Sequence, residues 1–293
     1  MIHNKTMKPK MMKKSFLTAM LVCMAVLGAE AQTNKVYKAD TVIDGNGNKI
    51  ITLYTQGTFA EGNGNIVMRD FDMATFDEIS IALPASVTYA VADKCSCRVT
   101  LDENLFECVD IYQKGDCLKV EMVKTLQQSD LKPTKFVIEL TATTLEEISL
   151  VGGGDFSFIT PFEAQKLEVN MAGAYGVFIN ETATVQDFKM NLVGAGQMVC
   201  KNLYADHANL AVAGLGSIVI EAGKVRSADI TVAGTGSVET RCNLVSMDFN
   251  IAGSGTIRYH GDVNVSGTNM GGRIVRIDTE NIENERKGCH EKL

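Results

Sequence analysis

ISLVGGG at 148–154 returns as VNMAGAYG at 169–176, MNLVGAG at 190–196, LAVAGLG at 210–216, ITVAGTG at 230–236 and FNIAGSG at 249–255. The leading glycines, Gly152, Gly173, Gly194, Gly214, Gly234 and Gly253, are spaced by 21, 21, 20, 20 and 19 residues. A fixed period near twenty is the mark of stacked structural units. Two and four residues before each leading glycine the side chains are apolar, as in Ile148 and Leu150, or Ile230 and Val232. The residue between them is polar in five of the six copies, Ala211 being the exception. Alternation of this kind is the period of a strand with one buried face.

The glycines end that strand, because glycine tolerates backbone angles that other residues avoid. A second strand follows, with Phe156, Met198, Ile218, Val238 and Ile257 at equivalent positions, and a weaker apolar group at Val185, Val225 and Leu244 opens a third. Two or three short strands with corners and no helical spacing make one lap of a β-solenoid. Laps pairing as parallel strands lie about 4.8 Å apart, so six of them stack to about 29 Å. No lap buries enough to fold alone, and stability must come from the stack. Stacking also sets Asn170 beside Asn191 on the outer face, where their amides can form a short ladder. Glu147, Glu168, Asp229 and Asp248 fall on one outer line, which reads as a solvated acidic strip.

These glycine-punctuated laps, preceded by FDEISIALPASVTYAV at 76–91 and LDENLFECVDIYQKGDCLKVEM at 101–122 and followed by IAGSGTIRYHG at 251–261, resemble the head GIN domain family of putative auto-transporter adhesins. The resemblance runs from Phe76 to Asp278. It implies a right-handed parallel β-helix exported by Bacteroides-like bacteria, with an adhesive role and no catalytic residues to carry over.

The chain divides accordingly. Residues 1–31 read as a cleavable export signal: five lysines, an apolar core from Phe16 to Leu27 too short to span a bilayer, and Ala29-Glu30-Ala31 before the cut. Cys23 follows Val22, a poor site for lipidation. Residues 32–75 read as a leader that covers the first edge of the stack, with GNGN at 45–48 and 62–65 as plain turns. Residues 76–278 are the β-helix domain, regular over 145–262. The strands of 76–144 are unevenly spaced, so this half either adds irregular coils or forms a small docked sheet. Residues 279–293 are a polar tail.

The whole chain carries 28 basic and 35 acidic residues; without the signal 23 face 34, a net charge of about −11. That surface repels nucleic acid and anionic membranes, and no segment after the signal is apolar enough to span a membrane. The export route permits disulfides among Cys95, Cys97, Cys108 and Cys117, whose spacing matches no common zinc pattern. Cys200 and Cys242 lie two laps apart. His207, His260 and His290 sit in no catalytic motif, and GGGD at 152–155 is a lone copy of a calcium-repeat phrase. Arg258, His260 and Asp262 form the one mixed charged group near a strand end. Trp is absent, and aromatic residues make up only 6%, which offers little for stacking on sugars.

The reading is an all-β chain: a right-handed parallel β-helix with laps of about 20 residues and a less regular N-terminal half. It is an exported, non-enzymatic protein of the periplasm, cell surface or exterior, without catalytic, cofactor or metal residues. Its partner is a host or bacterial surface glycan or protein, and homo-oligomers are open to it. A carbohydrate-active enzyme on the same scaffold and a structural envelope protein are the alternatives.

Overall fold

The computed structural model describes residues 36–43, 49–57, 59–126 and 130–277. Among them no α-helix occurs; two short 3-10 turns, Glu103–Leu105 and Lys124–Leu126, interrupt a chain of strands. The export signal, the lipidation question at Cys23, the 279–293 tail, Cys289 and His290 lie outside the described residues.

The repeat winds as a β-solenoid of about seven turns. Glu147–Phe158 pairs in parallel with 168–179, Ile148 opposite Val169 and Phe156 opposite Val177. The next turn pairs Val177 with Met198 and Met190 with Leu210. The register then continues through Ile230, Phe249 and Gly267. Alternation places one face inward: Ile148, Leu150, Val169, Leu210, Ile230 and Ile251 are all buried. The second-strand positions Phe156, Met198, Ile218, Val238 and Ile257 are buried as well, as are Val185, Val225 and Leu244. Burying each such side chain contributes about 1.5–3 kcal/mol.

The corner glycines stack on one another. Gly214 has φ of +121°, and a Cβ there would lie 2.6 Å from the carbonyl oxygen of Gly194 in the turn before. Only a residue without Cβ lets the turns approach to strand-pairing distance at this corner. Tyr175 breaks a second glycine column, standing where later turns carry Gly196, Gly216 and Gly236. Gly154 in the turn before makes room for its ring, since a Cβ there would lie 2.9 Å from Tyr175 Cε1. The buried Tyr175 hydroxyl donates to the Leu83 carbonyl and accepts from the Ala85 amide at 3.4 Å, tying the regular turns to the irregular half.

That irregular half joins the stack out of sequence order. The layer beneath Glu147–Phe158 is Glu78–Ile81 with Ser86–Val91, so Ile79 lies opposite Ile148 and Val87 opposite Phe156. Beneath those lie Cys117–Met122 and Phe136–Ala142, again parallel, although they come later in the chain. Pairing then turns antiparallel: Val109–Lys114 flanks Cys117–Met122, Ser96–Asp102 flanks Phe136–Ala142, and Ile66–Phe71 flanks Ser96–Asp102. Residues 76–144 are thus solenoid layers and docked sheet at once. The antiparallel strands end the parallel stacking at this end.

The two GNGN phrases part company. The first falls between Val36–Ile43 and Lys49–Gly57, an antiparallel pair, though residues 44–48 themselves lie outside the described residues. The second is no hairpin turn, because the strands on either side, Phe59–Glu61 and Ile66–Phe71, pair with other partners. It wraps the fully buried Asp102 instead. Gly64 N donates to Asp102 Oδ1 at 2.8 Å and Thr134 N to Oδ2 at 2.7 Å, while Asn63 N donates to Asn104 Oδ1 at 3.0 Å. Burial alone would raise the Asp102 carboxyl, but the Gly64, Thr134 and Lys135 donors hold it below its ordinary value.

At the far end the regular turns run past 262 to Arg273–Ile277. There the inward column turns polar: Asn269 takes the place opposite Ile251, and Arg276 that opposite Tyr259. Asn269 spends its amide on its own corner, bonding Gly272 N and O at 2.9 and 3.0 Å. The neighbouring inward column stays apolar, with Ile274 opposite Ile257 and packed against the core.

The described cysteines are all free thiols. No ladder sets two of them opposite each other: Cys97 faces Leu140 and Phe71, Cys117 faces Glu78 and Lys114, and Cys200 faces Ile179 and Ile220. Burial pushes the Cys97, Cys200 and Cys242 thiols up to about 12, away from reactive thiolate.

Candidate functional site

A groove runs along the stack at the corner between the third strand and the next first strand, with a volume of about 750 Å³. One wall is a single outward column, eight residues before each leading glycine: Thr144, Gln165, Gln186, Asp206, Arg226 and Val245. The other is the column two residues earlier: Glu163, Thr184, Tyr204 and Lys224. Between them the inward-leaning Ala164, Val185 and Ala205 make a low apolar floor. Strand alternation forces this arrangement, since positions two apart share a face and the one between turns in. Tyr204 is 47% exposed and Val245 50%. Arg226 and Asp206 form an exposed ion pair at 3.1 Å on one wall.

Around the corner lies a second polar column, Asp187, His207, Ser227 and Ser246, in register through four turns. His207 Nδ1 and Ser227 Oγ are 2.7 Å apart. Aspartate, histidine and serine in a row suggest acyl transfer, but the geometry stops short of it. Asp187 makes no hydrogen bond to His207, and both are exposed. A serine nucleophile needs an oriented base and donors aimed at a developing oxyanion in a water-poor site. The column is an open polar rim beside the groove.

The expected acidic strip keeps one register but is interrupted, with Lys189 and Asn209 standing between Glu168 and Asp229. Glu78, Glu147 and Glu168 stand in successive layers, with Lys189 next. Burial pushes the Glu147 carboxyl up, and the facing carboxylates of Glu168 and Glu78 add to it. Glu168 goes the other way: burial raises it, but Lys189 at 2.7 Å and Lys166 at 3.2 Å outweigh that and lower it. The amide ladder forms as the stacking requires, with Asn191 Nδ2 donating to Asn170 Oδ1 at 2.7 Å. No group of three or more potential metal ligands converges among the described residues.

The remaining sequence candidates disperse. Arg258 turns to Glu239 at 3.6 Å, His260 Nδ1 meets the Ile277 carbonyl at 3.1 Å, and Asp262 meets Arg276 at 3.7 Å, so the three never share a target. Asp155 of the GGGD phrase leans over Gly176, where a Cβ would lie 2.6 Å from its Oδ1, at one side of a polar notch of about 240 Å³. The groove walls are the residues that sequence reasoning passed over. Carrying the alignment from five residues before the glycine to eight and ten would have exposed both columns, though not the hollow between them.

The family described as "Putative auto-transporter adhesin, head GIN domain" matches residues 75–263. A solved structure described as a putative lipid binding protein from Parabacteroides distasonis ATCC 8503 is similar at 27% identity with a TM-score of 0.66, covering 75% of this chain and 99% of its own. A putative adhesin from Bacteroides fragilis NCTC 9343 shares the fold at 21% identity and a TM-score of 0.65, covering 74% and 99%. One from Parabacteroides merdae ATCC 43184 does so at 21% and 0.63, covering 75% and 100%. A comparison with curated proteins gave no match.

Proposed function

Because the chain belongs to the head GIN domain family of putative auto-transporter adhesins, we propose that it is a non-enzymatic binding module that engages a host or bacterial surface glycan or protein. The long lateral groove is its recognition face. The observation that carries this reading is the groove itself: about 750 Å³ of polar-walled hollow with exposed Tyr204 and Val245, on a scaffold whose other candidate groups do not converge. A large concave surface with a few placed polar groups is where ligands bind by default. The signal-like residues 1–31 and the family's adhesin description support placement outside the cytoplasm, in the periplasm or at the cell surface. No helix among the described residues is long and apolar enough to cross a membrane. The similar structure described as a lipid binding protein suggests an acyl ligand, but amide and charged walls fit a hydrophilic one better.

The test uses the purified chain without residues 1–31, labelled and applied to intact host epithelial and Bacteroides-type surfaces. Saturable retention with no shortened glycan released is the expected result. Absence of saturable binding to any surface, or release of cleaved oligosaccharides, overturns the reading.

A further inference from the structure

We infer that the groove takes an extended glycan chain of low net charge, lying parallel to the stack axis; this rests on the binding role proposed above. Three observations point to that occupant. The first is length. From Thr144 to Val245 the wall climbs five layers, about 24 Å at the strand spacing, with an outward side chain offered at every layer. A linear polymer running along the axis meets that series; a compact ligand meets one or two members of it.

The second observation is what the groove withholds. Its floor strands spend their backbone N–H and C=O groups on the layers above and below, Val185 on Ala205 and Ala205 on Val225. An extended peptide docks on a sheet by pairing with a free edge, and this lateral face has none. Recognition must come from side chains. Those present include two amides, Gln165 and Gln186, the Asp206–Arg226 pair, and the Tyr204 ring. Amides and paired ions exchange hydrogen bonds with hydroxyls, and a ring takes the apolar face of a sugar.

The third is charge. Three acids, Glu146, Glu163 and Asp206, face two bases, Lys224 and Arg226, so the groove is close to balanced on a chain of net charge −7. A strongly anionic polymer is repelled by the whole, whereas a neutral or sparsely charged glycan meets no such penalty.

The experiment is calorimetric titration of the purified chain with neutral oligosaccharide ladders of increasing length. Titrations of Tyr204→Ala, of Gln186→Ala and of a control, Leu215→Ala, at an exposed corner outside the groove follow. Affinity is expected to rise with chain length and level off near about five or six units, the number of layers lined. Tyr204→Ala should weaken binding by about tenfold, as loss of one aromatic contact implies, and Leu215→Ala should leave it unchanged. Circular dichroism of all three variants should match the parent, since the substituted side chains lie at the surface. Glycan binding that both groove variants leave intact overturns the groove assignment while the binding role stands. Binding that survives enzymatic removal of surface glycans, or that transfers to neutral lipid vesicles, overturns the glycan assignment. Absence of binding to every surface and ladder removes the underlying role as well.

Discussion

Gly214→Ala against Gly152→Ala isolates the contact that lets the turns stack. Both glycines belong to the corner column and both have left-handed φ, +121° and +108°. They differ in what lies beneath. A Cβ at Gly214 would stand 2.6 Å from the Gly194 oxygen and 3.3 Å from the Gly194 carbon and nitrogen, whereas one at Gly152 meets nothing within 4 Å. The layer below Gly152 turns through Leu83 and Pro84 and carries no matching glycine. Backbone strain therefore acts on both variants, at about 1–3 kcal/mol. Overpacking acts on Gly214→Ala alone and adds about 1–3 kcal/mol. The expected losses are about 1–3 kcal/mol for Gly152→Ala and about 2–6 kcal/mol for Gly214→Ala. Each kcal/mol lowers the melting temperature of a domain this size by about 2–4 °C. Urea unfolding followed by far-ultraviolet circular dichroism measures both. Equal destabilisation would mean that the Gly194 carbonyl does not limit the approach of the turns. A Gly214→Ala variant as stable as the parent would refute the stacked corner altogether.

Tyr175→Phe should cost about 1–3 kcal/mol, because it strips the buried Leu83 carbonyl and Ala85 amide of their partner; an unfolding midpoint like the parent's would show that the tie carries no energy. Asp102→Asn should cost about 1–3 kcal/mol, since one oxygen that accepts from Gly64 or Thr134 becomes an NH₂ facing a donor. The folded Asp102 pKa is lowered, so its contribution is present above the unfolded value, near 3.8, and is lost as pH falls through the folded one. The Asn variant should accordingly lose less stability than the parent over that acid range, and parallel pH–stability curves would contradict the assignment. Glu147 carries the opposite sign. Its folded pKa is raised above 4.5, so ionisation opposes folding at neutral pH and the opposition fades as pH falls through the folded value. Glu147→Gln should therefore raise the melting point at neutral pH and lose that advantage in acid; a lower melting point at neutral pH would contradict it.

Much of this protein was legible before any coordinates. The period of about twenty, the inward pairs such as Ile230 and Val232, the glycine corners and the Asn170–Asn191 ladder all follow from one fact. In a stack of like turns, equivalent positions become neighbours, so aligning the repeats is already a contact map. Where the repeat fails, that map fails with it. Nothing in 76–144 repeats, so nothing told that Cys117–Met122 and Phe136–Ala142 lie below Glu78–Val91 rather than above it, or that Gly62–Asn65 wraps Asp102 instead of turning a hairpin. Those placements depend on pairings across tens of residues that leave no local period. The groove stands between the two cases. Its walls are columns that alignment can reach, from Thr144 to Val245 and from Glu163 to Lys224. Its depth comes from how sharply the corner folds between them, and that is set by the packing of Val185, Val225 and Leu244 inside the turn. Residue identities name the members of each column; the bend of the backbone around the core decides which columns enclose a hollow.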